Sequence, residues 1–269
     1  MILGPIVALS IGLPGASLRE HPPPPPPILR EIGVDERLGA QLPLDLAFRD
    51  ERGRPVRLGD YFRDEKPVLL VLAYYDCPML CGLVLQHAMV TLHELGWTTG
   101  NQYRVLTVSF DAKDTVAGAR AKQESALRAL GLATEPDRWP FLVGDESSIA
   151  ALTRALGFRF RRDRTGQLAH PAVVFTLTPR GAISRYLHGL DYTTRDLKLS
   201  LLEASDGKTG TFLERLLAAC YAYDPATKRY GFFVSGFMKI GSLLIALIVL
   251  AVLVHYWRRD RRRTREEAA

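Results

Sequence analysis

The chain has 269 residues, 47% of them apolar and 24% charged, which excludes a disordered composition and leaves room for one well-cored domain with appendages. Its net charge of +6 is uneven, because the segment after Trp257 carries six arginines against three acids and so holds half of the excess. The basic balance therefore gives no support for a nucleic-acid partner, and no interleaving of aromatic and basic residues supplies any.

Residues 1–17 are apolar and end in the small residues Gly15, Ala16 and Ser17, as a signal peptide does, although no Lys or Arg precedes the apolar run. Residues 18–32 form a Pro-rich linker around six consecutive prolines, Pro22 to Pro27, a polyproline II spacer outside any core. From Gly33 the pattern turns globular. Short strands are expected over 42–48 and 56–58, and the apolar run 67–73 reads as a buried strand. A helix follows over 83–95, then a strand over 103–110 and an Ala-rich helix over 115–130 closed by Gly131. A short strand over 139–143 and then Asp145 precede a helix over 146–156, stopped by Gly157. Residues 158–161 alternate as a strand, 163–166 turn, and 170–177 form an apolar strand whose hairpin mate is 182–187. Helices are expected over 194–203 and 211–219.

Strands and helices alternate first and a hairpin comes last, so parallel pairing is expected early and an antiparallel pair at the end. With two cysteines on the first strand-to-helix turn, this is the layout of a thioredoxin-like α/β domain, over residues 33–205. Residues 206–231 are read as a juxtamembrane segment and 232–257 as a C-terminal transmembrane helix. Residues 240–254 carry no Asp, Glu, Lys or Arg, Lys239 can snorkel to the interface, and Tyr230, Phe232, Phe233, Phe237, Tyr256 and Trp257 flank the run as an aromatic belt. The arginines of the tail, 258–269, mark it as cytoplasmic. The preceding domain then faces outward, which in a bacterial cell is the periplasm, with the span in the inner membrane.

The chain has three cysteines, Cys77, Cys81 and Cys220. An odd count argues against a stapled scaffold, and a close pair with a distant single suits a redox or metal site. Cys77 and Cys81 are one helical turn apart beside a helix N-terminus, where unpaired N–H groups favour thiolate. Thiolates are soft ligands for Cu(I) or Zn(II) and also the nucleophiles of disulfide exchange. The spacing alone is equally open to a structural disulfide or a buried pair. Cys220 is read as a buried apolar residue outside the site.

Two thiolates need a further ligand. His21 and His255 lie outside the domain, His87 is off the shared helix face and read as a surface residue, and His93 is too far along the axis. His188 ends the hairpin. His170 opens the strand that, in a thioredoxin-like fold, packs beside the cysteine strand, so by position it is the third ligand; a loop histidine with no partner is the plainer alternative. Two sulfurs and an imidazole suit Cu(I), and with an added ligand Cu(II), whereas zinc normally takes four.

The Cys77-x3-Cys81 turn after an apolar strand, the segment Val108-Ser109-Phe110-Asp111-Ala112-Lys113-Asp114-Thr115, and His170 far downstream resemble the Sco/SenC family over about 33–202. That resemblance implies a thioredoxin-like, membrane-anchored protein that helps assemble the copper centre of cytochrome c oxidase, with the oxidase's copper-bearing subunit as partner. Carried over, Cys77, Cys81 and His170 are the copper ligands, and Asp111 and Asp114 support them. The chain departs from the commoner pattern at Met79-Leu80 and Gly82, at Ala169 before the histidine, and in its C-terminal anchor. A thiol–disulfide oxidoreductase using Cys77 and Cys81 as a redox pair that reduces client cysteines is the alternative. A peroxidase of related fold is disfavoured, since no arginine lies within the motif.

Overall fold

The computed structural model describes residues 31–76, 80–132, 135–163, 166–205, 221–224 and 229–232, with 245, 247–249 and 252. Its centre is β4 (Val68–Ala73), whose sequence VLLVLA is buried at every position. An uninterrupted apolar strand is what a sheet covered on both faces demands. β4 runs parallel to β5 (Arg104–Ser109), which runs parallel to β6 (Phe141–Leu142). On its other side β4 pairs antiparallel with β10 (Val173–Leu177), which pairs antiparallel with β11 (Ile183–His188). The five-stranded order is thus β11-β10-β4-β5-β6, parallel in one half and antiparallel in the other.

Among the described residues the main helices are α1 (Leu80–Glu94), α2 (Val116–Ala129), α3 (Glu146–Ala155) and α4 (Thr194–Ala204), of which α1, α2 and α4 contact this sheet. α1 contacts both α2 and α4, while α3 packs on β7 (Phe158–Arg159). The caps are local. Thr115 accepts from the Gly118 amide at 3.1 Å, Asp145 from Ser148 at 2.7 Å, and Thr193 with Asp196 forms a capping box at α4. Each such cap is worth about 1 kcal/mol.

Small two-stranded pairs ring the sheet: β1 (Gly33–Val34) with β7, β2 (Ala47–Arg49) with β3 (Pro55–Arg57), and β8 (Arg161–Arg162) with β9 (Leu168–Ala169). A last hairpin joins β12 (Tyr221–Asp224) to β13 (Arg229–Phe232), and β13 lies against α4.

Some expectations change. The strand expected over 42–48 shrinks to Ala47–Arg49, because Leu42 and Leu44 are held by loop hydrogen bonds to Gly181 and Gly59. The strand expected over 158–161 is two strands with different partners, β1 and β9. The hairpin β12–β13 occupies part of the expected juxtamembrane segment and ends at Phe232, where the span was expected to begin. The expected helix over 211–219 lies outside the described residues, as do residues 1–30 and most of 232–257. Among the described residues no helix is long and apolar enough to cross a membrane. Those described inside the expected span, Ile245, Leu247, Ile248, Val249 and Val252, are helical and exposed.

Candidate metal centre

The C-terminal ends of β4 and β5 and the entry to β10 meet at one edge of the sheet. In the β10–β4 register Val174 faces Val71 and Phe175 faces Leu70, so the segment entering β10 runs beside the chain leaving β4. His170 is on that segment, and its ring lies edge-on to Tyr74 at 6.1 Å. Strand ends at the carboxyl edge of an α/β sheet are where such folds place binding sites.

Alternation along the strand end sends Tyr74 and Tyr75 to different surroundings. Tyr74 packs on Phe110 at 5.6 Å and on His170. Tyr75 packs on Phe141, and its hydroxyl donates to the Leu142 carbonyl at 2.7 Å. Burial pushes the Tyr75 phenol well up, so it remains a donor. The Tyr75 backbone N–H donates to the Asp114 carboxylate at 2.7 Å, which also accepts the Ser109 hydroxyl. The first residues of the turn that leads to Cys77 are therefore fixed from both sides. Burial raises the Asp114 carboxyl above the ordinary value, with Asp111 and Asp76 adding in the same direction, while its two donors pull it down.

The Asp111 carboxylate is already paired with a cation. Both its oxygens lie 2.9 Å from one guanidinium nitrogen of Arg162. Asp111 and Asp114 are thus occupied in holding the loop after β5.

His170 is only 6% exposed and is boxed by Phe110 at 5.0 Å and Phe158 at 6.2 Å as well as Tyr74. Burial lowers its pKa, so the ring is neutral at pH 7. Its Nδ1 lies 3.0 Å from the Pro171 carbonyl oxygen. A carbonyl only accepts, so Nδ1 carries the proton and the lone pair belongs to Nε2. A neutral imidazole with one nitrogen tied to a backbone carbonyl is the form in which histidine binds metals. The residue therefore fits a copper ligand, whose chemistry needs a neutral nitrogen of fixed orientation.

Of the two cysteines, Cys77 lies outside the described residues, and of Cys81 only the backbone is described, in the first turn of α1. Among the described residues no set of three His, Cys, Asp or Glu side chains is grouped to hold a metal ion. The described chain stops at Asp76, two residues after Tyr74, on which the His170 ring packs, and resumes at Leu80 in the first turn of α1.

His188 and His87 are engaged elsewhere. His188 pairs with Glu36 at 2.7 Å. His87 is not a plain surface residue: its Nε2 lies 3.0 Å from the Tyr192 carbonyl oxygen, and its ring meets the Tyr192 ring edge-on at 4.4 Å. It ties α1 to the loop before α4. The aromatic box of Tyr74, Phe110 and Phe158 was not singled out from sequence. Its one visible signal was the Tyr74-Tyr75 pair closing an otherwise aliphatic strand.

The family model described as SCO1/SenC matches residues 36–200. A protein of Aquifex aeolicus VF5 is 26% identical, with TM-score 0.57, over 64% of this chain and 96% of that one. BsSco, a Sco-family cytochrome c oxidase assembly protein in which a disulfide switch was identified, is 17% identical with TM-score 0.50, over 64% of this chain and 97% of that one. Bradyrhizobium japonicum ScoI, solved with copper bound, is 20% identical with TM-score 0.44, over 64% of this chain and 98% of that one. No curated protein matches the chain. With its thioredoxin-like sheet, a cysteine pair following β4 in sequence and a family match over more than half its length, the chain belongs to the SCO1/SenC family.

Proposed function

We propose that this protein carries copper on Cys77, Cys81 and His170 and assists assembly of the copper centre of cytochrome c oxidase, with the copper-bearing subunit as client. Sco proteins are cytochrome c oxidase assembly proteins, and copper-bound members are known. One observation carries the assignment of the third ligand. The strand pairing of β10 with β4 delivers a buried, neutral imidazole, Nδ1 anchored on Pro171, to the place where the cysteine turn begins. Copper is cargo here. Two thiolates and one imidazole hold it as Cu(I) and, with a further ligand, as Cu(II).

The protein is further proposed to be tethered by a C-terminal span within 232–257, with the domain in the periplasm and residues 258–269 in the cytoplasm. What supports this is the charge-poor run 240–254, the arginine cluster after it, and the exposure of Ile245, Leu247, Ile248, Val249 and Val252. The second reading, a thiol–disulfide oxidoreductase, rests on Cys81 standing in the first turn of α1, where unpaired N–H groups favour an anionic sulfur.

Metal analysis of the full chain loaded anaerobically separates the two. We expect about one copper per chain from the three-ligand set. His170→Ala should lose stable Cu(II) binding and keep disulfide exchange. Undiminished copper in that variant overturns the ligand assignment.

A further inference from the structure

A groove of about 780 Å³ lies beside His170, between the loop after β5, α3 and β7. Its floor is aromatic: Phe110, Phe158 and Phe160 pack on one another at 5.0 to 6.0 Å. Phe110 and Phe158 are also two of the rings that box His170. The floor of the groove and the packing of the imidazole are therefore one aromatic cluster.

The groove lining holds five cationic and three anionic side chains, so it is net positive. Two of the cations are neutralised in place, Arg162 by Asp111 at 2.9 Å and Arg159 by Asp35 at 3.1 Å. Arg37, Lys113 and Arg154 are exposed and form no ion pair among the described residues; Glu146 is the remaining acid. These three cations come from three different segments, before β2, after β5 and on α3. Charge spread along a groove matches several carboxylates on an extended chain better than one compact anion. The volume accommodates one or two apolar side chains with their flanks.

We propose that this groove docks an acidic segment of a partner protein, one that rests an aromatic or aliphatic side chain on the half-buried Phe160, which is backed by the buried rings of Phe110 and Phe158, and sets its carboxylates against Arg37, Lys113 and Arg154. Only the partner's identity as the protein that exchanges copper at Cys77, Cys81 and His170 rests on the function proposed above. The docking itself is independent of metal. An occupant here sits one aromatic ring from His170, which places the partner beside the copper ligand.

The test is fluorescence anisotropy with the metal-free full chain in neutral detergent and a fluorescein-labelled hexapeptide, Glu-Phe-Asp-Glu-Leu-Asp. The acidic peptide should bind, and a version with lysine in place of every acid should bind at least about tenfold more weakly. Arg37→Glu with Arg154→Glu should weaken the acidic peptide about tenfold or more, and raising the salt from 0.05 to 0.5 M should weaken it too. Both positions lie on exposed side chains, so the fold is kept, and Arg128→Glu on α2, exposed and away from the groove, should leave binding unchanged. No binding, equal affinity for the lysine peptide, or indifference to the charge reversals overturns the proposal. So does a result in which the reversals abolish adsorption to phosphatidylglycerol vesicles and spare the peptide, which would make the groove a lipid contact. Copper loading of the Arg37→Glu, Arg154→Glu chain should equal that of the parent. A parent that binds peptide and takes up no copper would sink the copper reading and leave the groove standing.

Discussion

The Asp114 carboxylate accepts the backbone N–H of Tyr75 at 2.7 Å, across 39 positions of sequence. This bond ties the loop that starts α2 to the turn that leads from β4 to Cys77. Asp114→Ala leaves that N–H without its acceptor in a part-buried place, at a cost of about 1–3 kcal/mol. We expect thermal unfolding to drop by several degrees, at about 2–4 °C per kcal/mol for a domain of this size. Because the bond fixes the start of the segment that carries Cys77, copper affinity should fall by about tenfold or more. Competition with a copper chelator checks it. An unchanged affinity with lowered stability would make Asp114 structural only.

The Tyr75 hydroxyl offers a finer probe of the same anchor. Tyr75→Phe keeps the ring on Phe141 and removes the donor to the buried Leu142 carbonyl. The expected loss is about 1 kcal/mol in denaturant unfolding, with the slope unchanged. A neutral result would mean that water takes over the carbonyl.

His170 should titrate below the ordinary imidazole value of 6.5, since its aromatic box disfavours the charged ring. The unfolded chain takes up the proton first as pH falls, so this group's contribution to stability is complete above about 6.5 and is lost as pH falls toward the folded value. The Cε1 proton of His170, followed by NMR in the metal-free protein, should show that low midpoint. A midpoint at or above 6.5 would contradict the burial of the ring.

The seam between β1 and β7 depends on one glycine. Gly157 has φ +64°, and a Cβ there would sit 1.9 Å from the Asp35 carbonyl oxygen, which is backbone and cannot swing away. Gly157→Ala should cost about 3 kcal/mol or more, by clash and left-handed strain together. A Cβ at Gly166, φ +87°, meets nothing within 4 Å among the described residues, so Gly166→Ala should cost only about 1 kcal/mol of backbone strain. Chemical denaturation of the two variants compares them directly, and equal costs would refute the clash.

The sheet was legible in sequence where its periods were long. The all-apolar β4, the Ala-rich α2 with Thr115 before it and Gly131 after it, and the hairpin β10–β11 each carry their own signal. His170 was legible as a neighbour of the cysteine strand because the pairing of β10 with β4 follows from the order of the elements. Short pairs such as β1–β7 and β8–β9 were not, because two-residue strands have no period and are set by tertiary contacts such as Asp35 on Gly157. The box around His170 escaped for the same reason. Tyr74, Phe110 and Phe158 come from three distant segments, and only the fold brings their rings together.

X-ray absorption of the Cu(I)-loaded full chain tests the copper cup most directly. The account predicts two sulfur scatterers and one nitrogen scatterer in the parent, with the nitrogen gone in His170→Ala. A parent spectrum without nitrogen, or one that His170→Ala leaves unaltered, would contradict it.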